Sequence, residues 1–84
     1  MAYVRSLAEV APPERGRPHK ECDAGWFVAE RHGQRVLQID TYGSQARKDV
    51  GTVSQSLQLD EARSAELVEV LLAAFPDLRR RLVP

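Results

Sequence analysis

Apolar and polar residues alternate along two stretches on either side of a His-Gly pair at positions 32–33, which predicts an antiparallel hairpin. Glycine takes a positive φ without strain, and histidine enters the left-handed region more readily than most residues, so His-Gly suits a two-residue turn. A turn at this position pairs Trp26 with Ile39 and Val28 with Leu37, and all four then share one face. The predicted strands are residues 21–31 and 34–42.

A third stretch, residues 52–60, alternates in the same way. Val53, Leu57 and Leu59 are predicted to point to one side, while a row of Thr, Ser and Gln points to the other. This is the pattern of an antiparallel sheet with one face in water. The stretch therefore predicts a third strand, joined to the second by a charged loop.

A helix signal follows this strand directly. Asp60 stands at an N-cap position, and Glu61 in the first turn favours the helix dipole. From residue 61 to residue 75 the apolar residues recur at helical spacing, and Pro76 ends the helix because the residue before a proline disfavours helical geometry. The predicted apolar stripe consists of Ala65, Val68, Leu72 and Phe75, flanked by Leu67, Leu71 and Leu78.

The expected fold class is α+β: a three-stranded antiparallel β-meander, four-stranded in the alternative, with one C-terminal amphipathic helix packed on one face. A fourth strand could come from residues 3–10 or from another chain. The helix should lie across the face that carries the apolar side chains of the alternating pattern. These are Trp26, Val28, Leu37, Ile39, Val53, Leu57 and Leu59.

Three segments are predicted along the chain. Residues 1–19 include the proline-rich run "APPERGRPH", which disfavours both a helix and hydrogen-bonded pairing in a sheet. We therefore expect an arm that is flexible or ordered only by a partner. Residues 20–78 form the β-β-β-α domain, and residues 79–84 form a basic C-terminal tail.

The second face of the predicted sheet carries an apolar island that something should cover. Its predicted interface residues are Phe27, Ala29, Val36 and Gln38. The simplest cover is a second copy, so the chain is expected to form a homo-oligomer, most simply a dimer. A larger protein partner or a nucleic acid is the alternative.

Composition sets limits on partners and compartment. The 84 residues carry 12 lysines and arginines against 12 aspartates and glutamates, so no net charge draws the protein to nucleic acid or membrane. A chain this short buries only ~60% of the surface that its unfolded form exposes, which favours partner burial. The single cysteine excludes an internal disulfide and favours a reducing cytoplasm. No apolar run is long enough to predict a signal peptide or a membrane span.

No catalytic residue, metal ligand or cofactor site is predicted. Ser44 follows Gly43 but lacks the surroundings of a nucleophile elbow, and Cys22 with two distant histidines lacks zinc-ligand spacing. Three acidic residues, Glu30, Asp40 and Asp49, suggest a Mg²⁺-dependent nuclease. The alternating pattern, however, places Glu30 and Asp40 on opposite faces of the sheet, so we keep this hypothesis only as a minor alternative.

Arg47 and Lys48, in the loop "GSQARKDVG", are the strongest candidates for ligand binding. A basic loop beside Tyr42 and Phe27 would combine phosphate attraction with aromatic stacking, the two elements of single-strand recognition. Arg35 completes the predicted nucleic-acid-binding set. A solvated loop whose charges only maintain solubility is an equally good interpretation.

The segment from Val36 to about Leu72 resembles a group of small, mostly uncharacterised bacterial proteins with the pattern "IDTYGS…SQ…DE". This resemblance implies no established activity. More remotely, the third strand after Gly51 and the acidic pair Asp60-Glu61 at the helix start resemble the single-stranded-DNA-binding transcriptional coactivator family. That resemblance implies a curved antiparallel sheet with a C-terminal helix, a dimer, and unpaired DNA bound on the sheet and its loops.

The leading functional hypothesis is a small non-enzymatic binding module, expected to be dimeric, that engages nucleic acid through a sheet face and a basic loop. Single-stranded nucleic acid is the favoured ligand. The competing hypothesis is a protein–protein interaction adaptor, or a subunit of a larger assembly, that uses the same face.

Overall fold

A computed structural model describes residues 1–43 and 53–83. The sheet has the order β1-β4-β3-β2, in which β1 runs parallel to β4 and the other neighbours are antiparallel. The α+β class is confirmed, with a fourth strand supplied by the N-terminus in parallel orientation. The described elements are β1 Ala2–Tyr3, β2 Asp23–Arg31, β3 Gln34–Tyr42, β4 Val53–Leu59, α1 Glu61–Ala74 and α2 Leu78–Leu82.

The β2–β3 hairpin has the predicted turn and register. His32 has a φ of 50° and Gly33 a φ of 80°, as a two-residue turn with two left-handed positions requires. Trp26 pairs with Ile39, so the apolar residues of both strands lie on one side. We call this side the Trp26 face; its apolar members are Ala24, Trp26, Val28, Leu37, Ile39, Leu57 and Leu59.

The prediction that Val53 belongs to the Trp26 face is wrong. The β3–β4 register shifts between Thr41 and Tyr42, so Val53 pairs with Tyr42 and lies on the opposite face. Ser54 is the extra residue of this bulge, and its Oγ is 3.1 Å from Oγ1 of Thr41. One inserted residue reverses the side to which every later position of a strand points.

Helix α1 begins and ends as predicted. The carboxylate of Asp60 accepts a hydrogen bond from the backbone N–H of Arg63 at 2.7 Å, which satisfies one of the free donors of the first turn. At the other end the backbone N–H of Phe75 bonds to the carbonyl of Leu71, and Pro76 follows.

The hydrophobic core is thin. Among the described residues, Val36 and Leu59 are the buried apolar side chains, each 2% exposed, and α1 contains no buried residue. The helix contacts β3 and β4, yet its cover is partial, because Trp26 remains 72% exposed. Asp60 alone links β4 to α1, and so short a link restricts how the helix can turn back over the sheet.

The hairpin turn yields a stability prediction. Gly33→Ala places a Cβ on a left-handed residue, so the free energy of unfolding should fall by about 1–2 kcal/mol. His32→Asn should be neutral or slightly stabilising, because Asn-Gly is a preferred pair for this turn. Gly16→Ala is the control, since Gly16 has no neighbour within 4 Å of a new Cβ and no left-handed φ. Urea unfolding at fixed protein concentration measures all three, and equal losses for Gly33→Ala and Gly16→Ala would contradict the turn.

Candidate functional site

The side of the sheet opposite the Trp26 face combines aromatic and polar side chains. Strand pairing places the alternate residues of β2, β3 and β4 on this side, together with Tyr3 of β1, which pairs with Gln58. We call it the Phe27 face. Its larger members are Tyr3, Phe27, Arg31, Val36, Gln38, Asp40, Tyr42, Ser56 and Gln58.

Tyr42 and Phe27 belong to this face, on the neighbouring strands β3 and β2. A Cβ added to Gly25 would be 3.3 Å from the hydroxyl of Tyr42, so the tyrosine ring covers the backbone of β2 where glycine leaves room for it. Phe27, two residues along the same strand, is 45% exposed. The two rings therefore offer neighbouring aromatic surfaces.

A row of polar side chains crosses the centre of the Phe27 face. Gln58 Nε2 donates to Gln38 Oε1 at 2.8 Å, and Gln38 Nε2 donates to Asp40 Oδ1 at 2.9 Å. The hydroxyl of Ser56 donates to the same Asp40 oxygen at 2.7 Å. Asp40 is only 5% exposed, and these bonds compensate for its burial. The carboxylate therefore holds the sheet face together, which gives Asp40 a structural role that sequence reasoning missed.

A basic corner lies at one end of the same face, where β1 and β2, the two outer strands of the sheet, both finish. The guanidinium carbon of Arg31 lies 3.7 Å from the centroid of the Tyr3 ring, within the range of a cation–π contact. An open cleft of about 510 Å³ is lined by Tyr3, Arg5, Ser6 and Arg31. We call these four residues the Tyr3 corner. Sequence analysis missed this cluster because a two-residue strand leaves no periodic signal.

The remaining predicted site residues are not gathered at one place. Arg35 pairs with Glu30 across the hairpin and belongs to the Trp26 side of the sheet, so it does not lie with Phe27 and Tyr42. Arg47 and Lys48 lie outside the described residues.

The predicted interface residues share the Phe27 face but differ in exposure. Val36 is buried within the chain, Ala29 and Gln38 are half-buried, and Phe27 is the exposed member. The large uncovered apolar surface is therefore on the other side, which the sequence pattern had assigned to the helix.

Within residues 1–43 and 53–83, no three His, Cys, Asp or Glu side chains come close enough together to hold a metal ion. Among the described helices, none has the length and apolar character needed to cross a membrane.

Comparison with known proteins gives no relative for this fold and site: family models, curated proteins and solved structures were searched, and none matches. The two resemblances drawn from the sequence therefore stay predictions.

Asp60 joins the candidate site to the helix. The hydrogen bond from the backbone N–H of Arg63 is the largest of the effects that hold the pKa of Asp60 below its ordinary value of 3.8. The Tyr3 hydroxyl, which donates to Asp60 Oδ2 at 3.2 Å, and the Arg63 guanidinium lower this pKa further, while partial burial opposes them. All three favourable contacts stabilise the charged form.

A pH prediction follows from the direction of this shift. A carboxylate whose pKa is lowered by folding adds stability above its ordinary pKa, and this contribution is lost as the pH falls through the lowered folded-state value. Asp60→Asn keeps an oxygen for the cap but no charge. The wild type should therefore unfold at a higher urea concentration than Asp60→Asn at pH 7, and the two should converge as the pH falls through the lowered pKa of Asp60.

Asp77→Asn is the matched control, because Asp77 precedes α2 without a side-chain cap bond. It should leave the urea midpoint nearly unchanged at both pH values. An Asp60→Asn deficit that persists unchanged at the lowest pH would contradict a charge-dependent cap.

Proposed function

We propose that this chain is a small non-enzymatic binding module that engages single-stranded nucleic acid through the Phe27 face. The observation that carries the proposal is the pair of aromatic side chains, Phe27 and Tyr42, on a face that holds the arginines of the Tyr3 corner at one end.

Aromatic rings on a sheet suit unpaired bases, because every base has a π-face and stacks without regard to sequence. Stacking contributes about 1–3 kcal/mol per base. Phe27 is exposed enough to receive a base, and Tyr42 lies beside it over Gly25. In a duplex the bases are paired and stacked on one another, so the face favours a single strand.

The phosphates need positive charge, which the described part of the face supplies at one end. Arg31 and Arg5 both line the cleft of the Tyr3 corner, whereas the centre is occupied by the hydrogen-bonded Asp40. We therefore expect the phosphate backbone to pass across the end of the face that holds the Tyr3 corner. Arg47 and Lys48 follow Tyr42 by five and six residues in the sequence, and they remain part of the proposal as phosphate contacts.

A protein-interaction adaptor is the second candidate function. It is favoured by the apolar Trp26 face, where Trp26 is 72% and Val28 55% exposed. Such a surface on a small protein is typical of a protein contact. In this case the partner would cover the Trp26 face rather than the Phe27 face on which the sequence analysis placed the contact.

The nuclease hypothesis has less support. Asp40 lies on the Phe27 face and accepts two side-chain hydrogen bonds at one oxygen. Glu30 lies on the other side of the sheet, paired with Arg35. The two carboxylates are thus separated by the sheet itself.

The binding proposal predicts saturable, salt-sensitive affinity for short single-stranded oligonucleotides in fluorescence anisotropy. Phe27→Ala should raise the Kd by roughly 5- to 150-fold, because one stacked base is lost. Absence of salt-sensitive binding up to about 50 μM protein would contradict the proposal, since phosphate-driven affinity must fall with salt.

Two arginines on opposite faces provide a matched test of which side binds. Arg31→Gln should weaken binding and reduce the slope of log K against log salt by about 0.7, the value for one phosphate contact on a single strand. Arg35→Gln should leave both unchanged. The opposite result would move the ligand to the Trp26 face and contradict the proposed interface.

A further inference from the structure

Far more of the chain is exposed than a folded monomer of its size should expose. The accessible surface is 7957 Å² for 9.4 kDa, whereas size scaling gives about 5,000 Å² for a compact monomer. The radius of gyration agrees: it is 15.2 Å, against about 12 Å for a compact domain of this length. Part of the difference comes from residues 5–22, between β1 and β2, all of which are exposed.

The rest of the excess includes two apolar surfaces that should form the core. The first is the Trp26 face. The second is the apolar stripe of α1, formed by Ala65, Val68, Leu72 and Phe75, in which Val68 is 51% and Phe75 59% exposed. The sequence places both surfaces in one chain, but the chain does not bring them fully together.

An open cleft lies between these two surfaces. Its volume is about 960 Å³. The sheet contributes Val28, Leu37 and Leu59 to its walls, and the first turns of the helix contribute Ala62 and Ala65. Polar side chains line the rest of the cleft, namely Gln34, Arg35, Asp60, Glu61 and Ser64. The start of the helix thus stands apart from the sheet, and the space between them is open to the side chains of a partner.

We propose that a second copy of this chain closes this core, with the α1 stripe of each copy packed against the Trp26 face of the other. A two-fold axis brings the two unlike surfaces together twice, because a contact of the helix on the partner's sheet is repeated in reverse. Each chain carries one α1 stripe and one Trp26 face, so two copies supply two complete contacts. An obligate homodimer buries about 2,000–5,000 Å² in total, half of it from each chain, and the part of the excess that lies on the Trp26 face and the α1 stripe is the area proposed for this contact.

This dimer leaves the Phe27 face uncovered. It therefore differs from the interface predicted from the sequence, which would use Phe27 as an anchor. It also stands independently of nucleic-acid binding, because the two proposals concern opposite sides of the sheet.

Light scattering coupled to size-exclusion chromatography tests the oligomeric state of the full chain. The wild type should have twice the mass of a single 9.4 kDa chain. Trp26→Glu and Val68→Glu should each raise the dimer dissociation constant by at least roughly 30-fold, the effect of losing a well-buried anchor. Phe27→Glu and Val10→Glu are controls at exposed apolar residues outside the proposed contact, and both should remain dimeric.

Mixing the two disrupted variants tests the geometry of the contact. If the helix of one copy packs on the sheet of the other, a heterodimer of Trp26→Glu with Val68→Glu contains one contact that is wild type on both sides. The mixture should therefore dimerise more strongly than either variant alone. Circular dichroism of the same samples follows folding, so that variants which unfold alone should gain secondary structure when mixed.

Three results would overturn the proposal. A wild type that is monomeric up to about 100 μM would show that no second copy closes the core, since an obligate dimer is far tighter. Loss of the dimer in Phe27→Glu, but not in Trp26→Glu, would place the contact on the other face. Failure of the mixture to recover would exclude the reciprocal packing of helix on sheet.

Discussion

The carboxylate of Asp60 ties together three parts of the chain: it follows β4, caps α1, and accepts a hydrogen bond from Tyr3 of β1. Arg63 reinforces the same joint, because its guanidinium donates to the carbonyl of Arg5 at 2.8 Å. The N-terminal strand, the sheet and the helix therefore meet at one charged group. Only one residue links β4 to α1 in this arrangement. The helix therefore contacts the sheet only in part, and the core stays open.

The sequence predicts the hairpin well because two independent signals agree there. The turn chemistry of His32-Gly33 and the period-two pattern both require Trp26 to pair with Ile39, and this is the pairing observed. The start of α1 is equally well specified, since the cap and the apolar spacing begin at the same point. The bulge at Ser54 could not be predicted, because an inserted residue within an alternating polar run leaves the pattern of letters unchanged.

The candidate site is predictable only where it depends on the alternation of side chains along a strand. This alternation alone places Phe27 and Tyr42 on one face. It also assigns Arg35 to the other face, although the predicted binding set included Arg35. The Tyr3 corner depends on a contact between residues far apart in the sequence. A strand as short as Ala2–Tyr3 has no periodicity to reveal such a contact, and the proline-rich run that follows suggests a detached arm.

The two sides of the sheet differ in what can be buried against them. On the Phe27 face, the donors of Gln38 and Ser56 already bond to Asp40, so covering that face with apolar surface would remove water from polar groups without supplying new partners. On the Trp26 face the side chains are apolar, and their burial gains free energy for each Å² removed from water. A chain of this size, with so thin a core, gains most by closing the apolar side through assembly. In the proposed dimer, folding and assembly form one equilibrium, whose position depends on protein concentration. The polar, aromatic side has the least to gain from being covered, which leaves it open to the proposed ligand.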